Sequence, residues 1–190
     1  MIRRCYIALI VSGCLFLLAG CSATTGIMLT NTPQQLPGVQ CRGKVVIEVF
    51  KNAKVFEAIG QRDDQPLHPA NMKVGRWAAK AVADQLAACG CEAVIMEKAS
   101  ALPEEWLVRG TVNQAYAEQT GLLTYQTNFT MNVELARGDK KLFGKKVEFS
   151  SEKTAALPSS DLPSKYLDEA VSDAAVDAAK SIIEQMGAVR

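Results

Sequence analysis

From Leu123 to Leu135 the chain alternates without a break. Leu123, Tyr125, Thr127, Phe129, Met131, Val133 and Leu135 fall on one side, and Thr124, Gln126, Asn128, Thr130, Asn132 and Glu134 on the other. A period of two over this length predicts a strand with one buried and one wet face. Trp106 to about Gln119 precedes it across a Thr120-Gly121 turn, with Trp106, Val108, Val112 and Tyr116 expected on one side. A turn at 137–140 leads to a further strand, roughly Leu142 to Lys153. Two shorter apolar runs, Lys44–Phe50 and Glu92–Met96, complete the strands, and the first is apolar on both faces, as in a central strand.

Helical spacing appears twice. Val74, Ala78, Val82, Leu86 and Cys89 form one stripe, with Trp77 and Ala81 beside it; Asn71 is suited to cap this helix and Gly90 to end it in a left-handed turn. Leu167, Val171, Ala174, Ala178, Ile182 and Met186 form the second stripe, behind Ser164 as the expected cap. The order is βαβββα. It predicts an α+β two-layer sandwich, a mostly antiparallel sheet with two helices on one face.

The N-terminus follows another pattern. Arg3 and Arg4 precede an apolar run from Tyr6 to Leu18, too short to span a bilayer comfortably but of signal-peptide length. It ends in Leu18-Ala19-Gly20-Cys21, which matches a bacterial lipobox: cleavage falls between Gly20 and Cys21, and the Cys21 sulfur takes the lipid. Ser22, rather than an aspartate, follows the cysteine and favours the outer membrane. From this we expect a signal peptide over 1–20, a lipidated cysteine with a flexible tether over 21–40, and one periplasmic domain over 41–190. The Ser-, Thr-, Gln- and Pro-rich tether is broken by Ile27, Met28 and Leu29, which suggests that part of it packs on the domain.

Composition narrows the function classes. Hydrophobic residues make up 48% and charged residues 22% of the 190, ordinary for a globular protein. Taking Arg3 and Arg4 from the 21 basic residues leaves 19 against 20 acidic, so no basic surplus points to nucleic acid.

The chain resembles the YajG-like family of Gram-negative outer-membrane lipoproteins. The features that carry the resemblance are Ile27-Met28-Leu29-Thr30-Asn31-Thr32-Pro33 after the lipobox, the Gly-turn after the first helix, Gly121-Leu122-Leu123-Thr124-Tyr125 before the alternating strand, and the Ala-rich last helix. The resemblance implies an outer-membrane lipoprotein without known catalytic residues. The chain departs from the family in the longer loop after the first strand, which contains Ala58-Ile59-Gly60.

Few residues suggest chemistry. Cys41, Cys89 and Cys91 remain after lipidation, an odd number for an oxidising compartment. Cys89 lies on the buried stripe, whereas Cys41 and Cys91 each precede a strand; if those strands are parallel neighbours, a Cys41–Cys91 disulfide has plausible geometry. A Cys89-x-Cys91 metal site lacks the second ligand pair. His68 is the sole histidine, with Asp63 and Asp64 nearby, and as part of a loop it reads first as solvated. Arg137-Gly138-Asp139 reads as a turn. The long loop 51–73 and the wet face of the alternating strand are the better leads for binding. The expectation is a protein that is not an enzyme and needs no cofactor or metal. It would be held to the membrane by its lipid and bind or scaffold an envelope protein, or alternatively a small ligand or glycan.

Overall fold

The structure, a computed structural model, describes residues 25–99, 105–138 and 140–188. It is an α+β fold of two helices and one large, open, mostly antiparallel sheet of nine strands. In chain order the elements are β1 (Thr25–Ile27), β2 (Lys44–Glu48), β3 (Lys51–Asn52), β4 (Gly60–Arg62), β5 (Gln65–Pro69), α1 (Val74–Ala88), β6 (Glu92–Met96), β7 (Trp106–Gln119), β8 (Thr124–Arg137), β9 (Lys140–Thr154) and α2 (Leu162–Ala188). The expected βαβββα order is corrected: the long elements run β2-α1-β6-β7-β8-β9-α2, with four strands rather than three between the helices, and four short strands, β1, β3, β4 and β5, are added. They are two to five residues long, too short for a period to announce them.

The sheet is organised around β7. One edge of β7 pairs antiparallel with β8 along its length, and β8 pairs with β9. The other edge receives three short parallel strands in series: β2 against 106–108, β3 against 111–112 and β4 against 117–118. From β2 the sheet continues to β6, and from β4 it continues through β5 to β1. The segment 51–73, expected as a long loop, is therefore largely built into the sheet.

Val45 and Ile47 of β2, Phe129, Met131, Val133 and Leu135 of β8, Trp77, Val82 and Leu86 of α1, and the α2 stripe from Leu167 to Met186 share one core. The Trp77 and Phe129 rings meet edge to face, with centroids 5.9 Å apart. On the opposite face of the sheet Val46 and Leu107 are buried beneath Ala99. A bulge between Val112 and Gln114 shifts the parity of β7. Before it Val108 and Val112 face the core; after it Ala115 and Ala117 do. Tyr116, expected beside Val108 and Val112, is thereby turned away from them.

The end of α1 shows a local sequence setting a long-range contact. Gly90 has φ +94°, its N–H donates to Ala87, and the Cys91 N–H reaches back to Leu86 at 3.0 Å. This left-handed cap turns the chain sharply into β6. Because β2 and β6 are parallel, with Lys44 opposite Glu92, Cys41 and Cys91 arrive at the same end of the sheet and are joined by a disulfide, Cα atoms 5.0 Å apart. Cys89 is a buried thiol.

At the other end of α1, Gly75 lies directly on the backbone of Phe50. A Cβ there would stand 2.0 Å from the Phe50 carbonyl oxygen. Gly75→Ala should therefore cost about 1–3 kcal/mol in denaturant unfolding, whereas Gly187→Ala, with open space around it, should be neutral or mildly stabilising. Replacing both Cys41 and Cys91 by serine should lower stability by about 2–4 kcal/mol, read as a fall in melting temperature that a reductant reproduces in the parent chain.

Candidate functional site

The expected flexible tether is corrected for much of its length: residues 25–34 are stitched to the domain. After β1 this strap runs between the two helices, held mostly by side chains acting on its backbone. The Asn71 amide accepts from the Leu29 N–H at 2.9 Å and donates to the Leu29 carbonyl at 2.8 Å. The fully buried Gln85 repeats the device, accepting from the Gln34 N–H and donating to its carbonyl, both at 2.8 Å. The Trp77 indole donates to the Thr30 carbonyl and the Ser164 hydroxyl to that of Met28. Asp168 accepts from both the N–H and the hydroxyl of Thr30. Ile27 and Leu29 are buried beneath these contacts.

Two expected caps are thus corrected. Asn71 does not cap α1, whose N-cap is Lys73 without a side-chain bond, and Ser164 lies inside α2 and binds the strap. Both residue types favour such local roles, but the strap offers backbone groups that are otherwise unpaired and half-buried.

The wet face of β8 forms the floor of an open groove of about 510 Å³ on the face of the sheet turned away from the helices. The register places Arg109, Glu134 and Gly144 in one row across β7, β8 and β9, and Thr111, Asn132 and Lys146 in the next. Gly144 has no side chain in its row, and the end of Lys141 lies over it, 3.1 Å from where a Cβ would stand, while the other side chains wall the groove. Arg109 pairs with Glu48 at 3.2 Å, Lys141 with Glu134, and Lys146 with Glu148. Lys51 adds a further cation, so the walls are net positive. The sequence of β8 alone suggested a nearly uncharged surface. The cations come from β3, β7 and β9, and only the pairing register shows which of their residues share this face. The lining holds no histidine, cysteine or serine.

The remaining sequence candidates are scattered. His68 is half-buried on β5 with Nδ1 against the Glu57 carbonyl. Asp63 and Asp64 form the tip of the β4–β5 hairpin with φ of 48° and 60°. Among the described residues no cluster of three His, Cys, Asp or Glu side chains is placed to hold a metal. Arg137 stacks over Trp106, 5.2 Å from the ring centroid, and Gly138 turns the chain with φ 57°. Gly20 and Cys21 lie outside the described residues, and among those described no helix is long and apolar enough to cross a membrane.

No family model and no curated protein matches the chain in sequence. Among solved structures, protein XCC0632 from Xanthomonas campestris, with the family model DUF330, matches with a TM-score of 0.64 at 8% identity, over 86% of this chain and 97% of that one. The two share a fold. Looser matches are a putative lipoprotein from Caulobacter crescentus CB15, with TM-score 0.47 at 12% identity over 64% of this chain and 88% of that one, and the rare lipoprotein B from Shewanella oneidensis, with TM-score 0.38 at 12% identity over 76% and 95%.

Burial beside the strap raises the Asp168 carboxyl above its usual range, with the two Thr30 hydrogen bonds pulling the other way. A raised folded value means that the stabilisation linked to this proton is complete below the unfolded pKa, about 3.9, and is lost as pH rises through the folded value. Asp168→Asn removes the titration and can keep both Thr30 contacts. Its stability relative to the parent should be most favourable near pH 7 and decline toward pH 4; an advantage that grows on acidification would contradict this account.

Proposed function

We propose that the chain is a lipoprotein of the bacterial outer membrane, lipidated on Cys21 and facing the periplasm, that works without catalysis by binding or scaffolding an envelope partner. The observation that carries this reading is the signal-like run ending in Leu18-Ala19-Gly20-Cys21, four residues ahead of a strand built into the domain. The resemblance to the YajG-like lipoproteins points the same way. The groove over β7, β8 and β9 is the surface the reading assigns to the partner. Its cations are already matched in part by Glu48 and Glu134, which suits exchange for an acidic segment of another protein at low energetic cost. One observation favours a second reading, a small ligand or glycan: the groove volume lies in the range of small-molecule sites.

Two measurements test this. Metabolic labelling with palmitate should mark the chain and fail with Cys21→Ser. A photo-crosslinking residue at Thr111 or Asn132 should give the same single protein adduct in intact cells, one that a crosslinker at the exposed Lys180 of α2 does not give. Acylated protein without a groove-specific adduct would sink the scaffold reading, and a saturable rise in melting temperature with a glycan would then favour the second.

A further inference from the structure

The pairing directions show which end of the sheet the anchor leaves from. β1 runs parallel to β5, with Thr25 opposite Leu67, so β1 begins at the end of the sheet where the β4–β5 tip at Asp63 and Asp64 stands. β4 in turn runs parallel to the C-terminal end of β7, with Gln61 opposite Glu118. That tip therefore stands at the same end as the β7–β8 turn. The end of β9 joins them, since Thr154 lies opposite Thr124 and the Ala155 N–H donates to the Leu123 carbonyl.

This end is knit together. The Arg62 guanidinium donates to the Ser160 carbonyl at 2.9 Å, and Gln119 accepts from the Asp63 N–H and donates to the Leu122 carbonyl. On it stand Leu122, 89% exposed, and Leu157, 76% exposed, two of the three most exposed large apolar side chains among the described residues. Leu122 and Pro158 line the same depression. The rest of the rim is polar: Thr120, Gly121 and Ser159 stand beside the exposed carboxylates of Asp63, Asp64 and Asp161, of which Asp63 has Arg62 at 3.8 Å and Asp161 accepts from the Ser159 hydroxyl.

Only three residues lie between Cys21 and Thr25, four Cα–Cα steps with a reach of at most about 14 Å. A lipidated Cys21 would hold this end of the sheet against the bilayer. We propose that it is a membrane-contacting face in which Leu122 and Leu157 insert into the lipid interface beside the acyl chains. This rests on the reading of Cys21 as the lipid anchor. The arrangement sets the direction of the domain: the groove rows at Arg109 and Thr111 lie about 25–30 Å farther along β7, turned to the periplasm.

The test uses full-length protein purified from membranes, its acylation checked by palmitate label, carrying Leu122→Trp or Leu157→Trp. It is reconstituted in phosphatidylethanolamine and phosphatidylglycerol vesicles with brominated acyl chains. At both positions the added emission should be blue-shifted and at least halved by the bromolipid. The parent emission should barely change, since Trp77 is buried and Trp106 lies at the far end of β7, about 40 Å away. Added emission that stays red and unquenched overturns the proposal. So does a blue shift without quenching, which would place a second copy of the chain on this face. Absence of acyl label overturns the anchor reading and this inference together; label without quenching overturns this inference alone.

Discussion

A strand of fourteen residues presents backbone donors and acceptors along both edges, and buried ones must be paired. β7 meets this requirement asymmetrically. A single long neighbour, β8, covers one edge, while β2, β3 and β4 divide the other. All three run parallel to β7 and follow one another along it, so the chain advances from β2 through β3 and, across residues 53–59, to β4 without reversing. Only then does it turn back: the β4–β5 hairpin carries the edge toward α1, and α1 returns the chain to β6, parallel to β2. The excursion between the first long apolar run and the first helix is a consequence of filling that edge.

The same requirement explains the strap. Residues 28–34 have no strand partner, yet Leu29 is nearly inaccessible to water. Their backbone groups are served by amide, indole, hydroxyl and carboxylate side chains of α1 and α2. Asn71 and Gln85 each present a donor and an acceptor to one residue's N–H and C=O, much as a neighbouring strand would. Each is expensive to lose, because removing it would strand two backbone groups in a partly dry crevice. Mechanically, the strap makes residues 25–34 part of the fold, so an anchor at Cys21, as proposed, would hold a fixed mount rather than a loose leash.

With the mount fixed, the two ends of β7 have different surroundings. The C-terminal end gathers the hairpin tip, the β7–β8 turn and the exposed leucines near Thr25, where β1 begins. Toward the N-terminal end the outer face opens into the charged groove floored by β8. Under the proposed anchoring, the groove would be set away from the membrane on a face without helices, where a large partner could reach it without steric conflict. The lysines along β9 also make its open edge a poor template for unplanned strand pairing.

Several features were legible in the residues alone. Glu92–Met96 and Trp106–Gln119 have the strand bounds expected from them, the β8 alternation separates the buried from the wetter side chains, the α2 stripe is buried from Leu167 to Met186, and Gly90 ends α1 with positive φ. These follow from local periodicity and backbone sterics, which a sequence carries within a few residues. Other features were decided only by tertiary structure: β3 and β4 on one edge of β7, the bulge that turns Tyr116 from the Val108 side, the charge of the groove, and the use of Asn71, Gln85 and Ser164 on the strap. Each depends on a partner far away in the chain. A polar side chain near a helix start suits a cap equally well, and the choice falls to whichever backbone group the fold leaves buried and unpaired beside it.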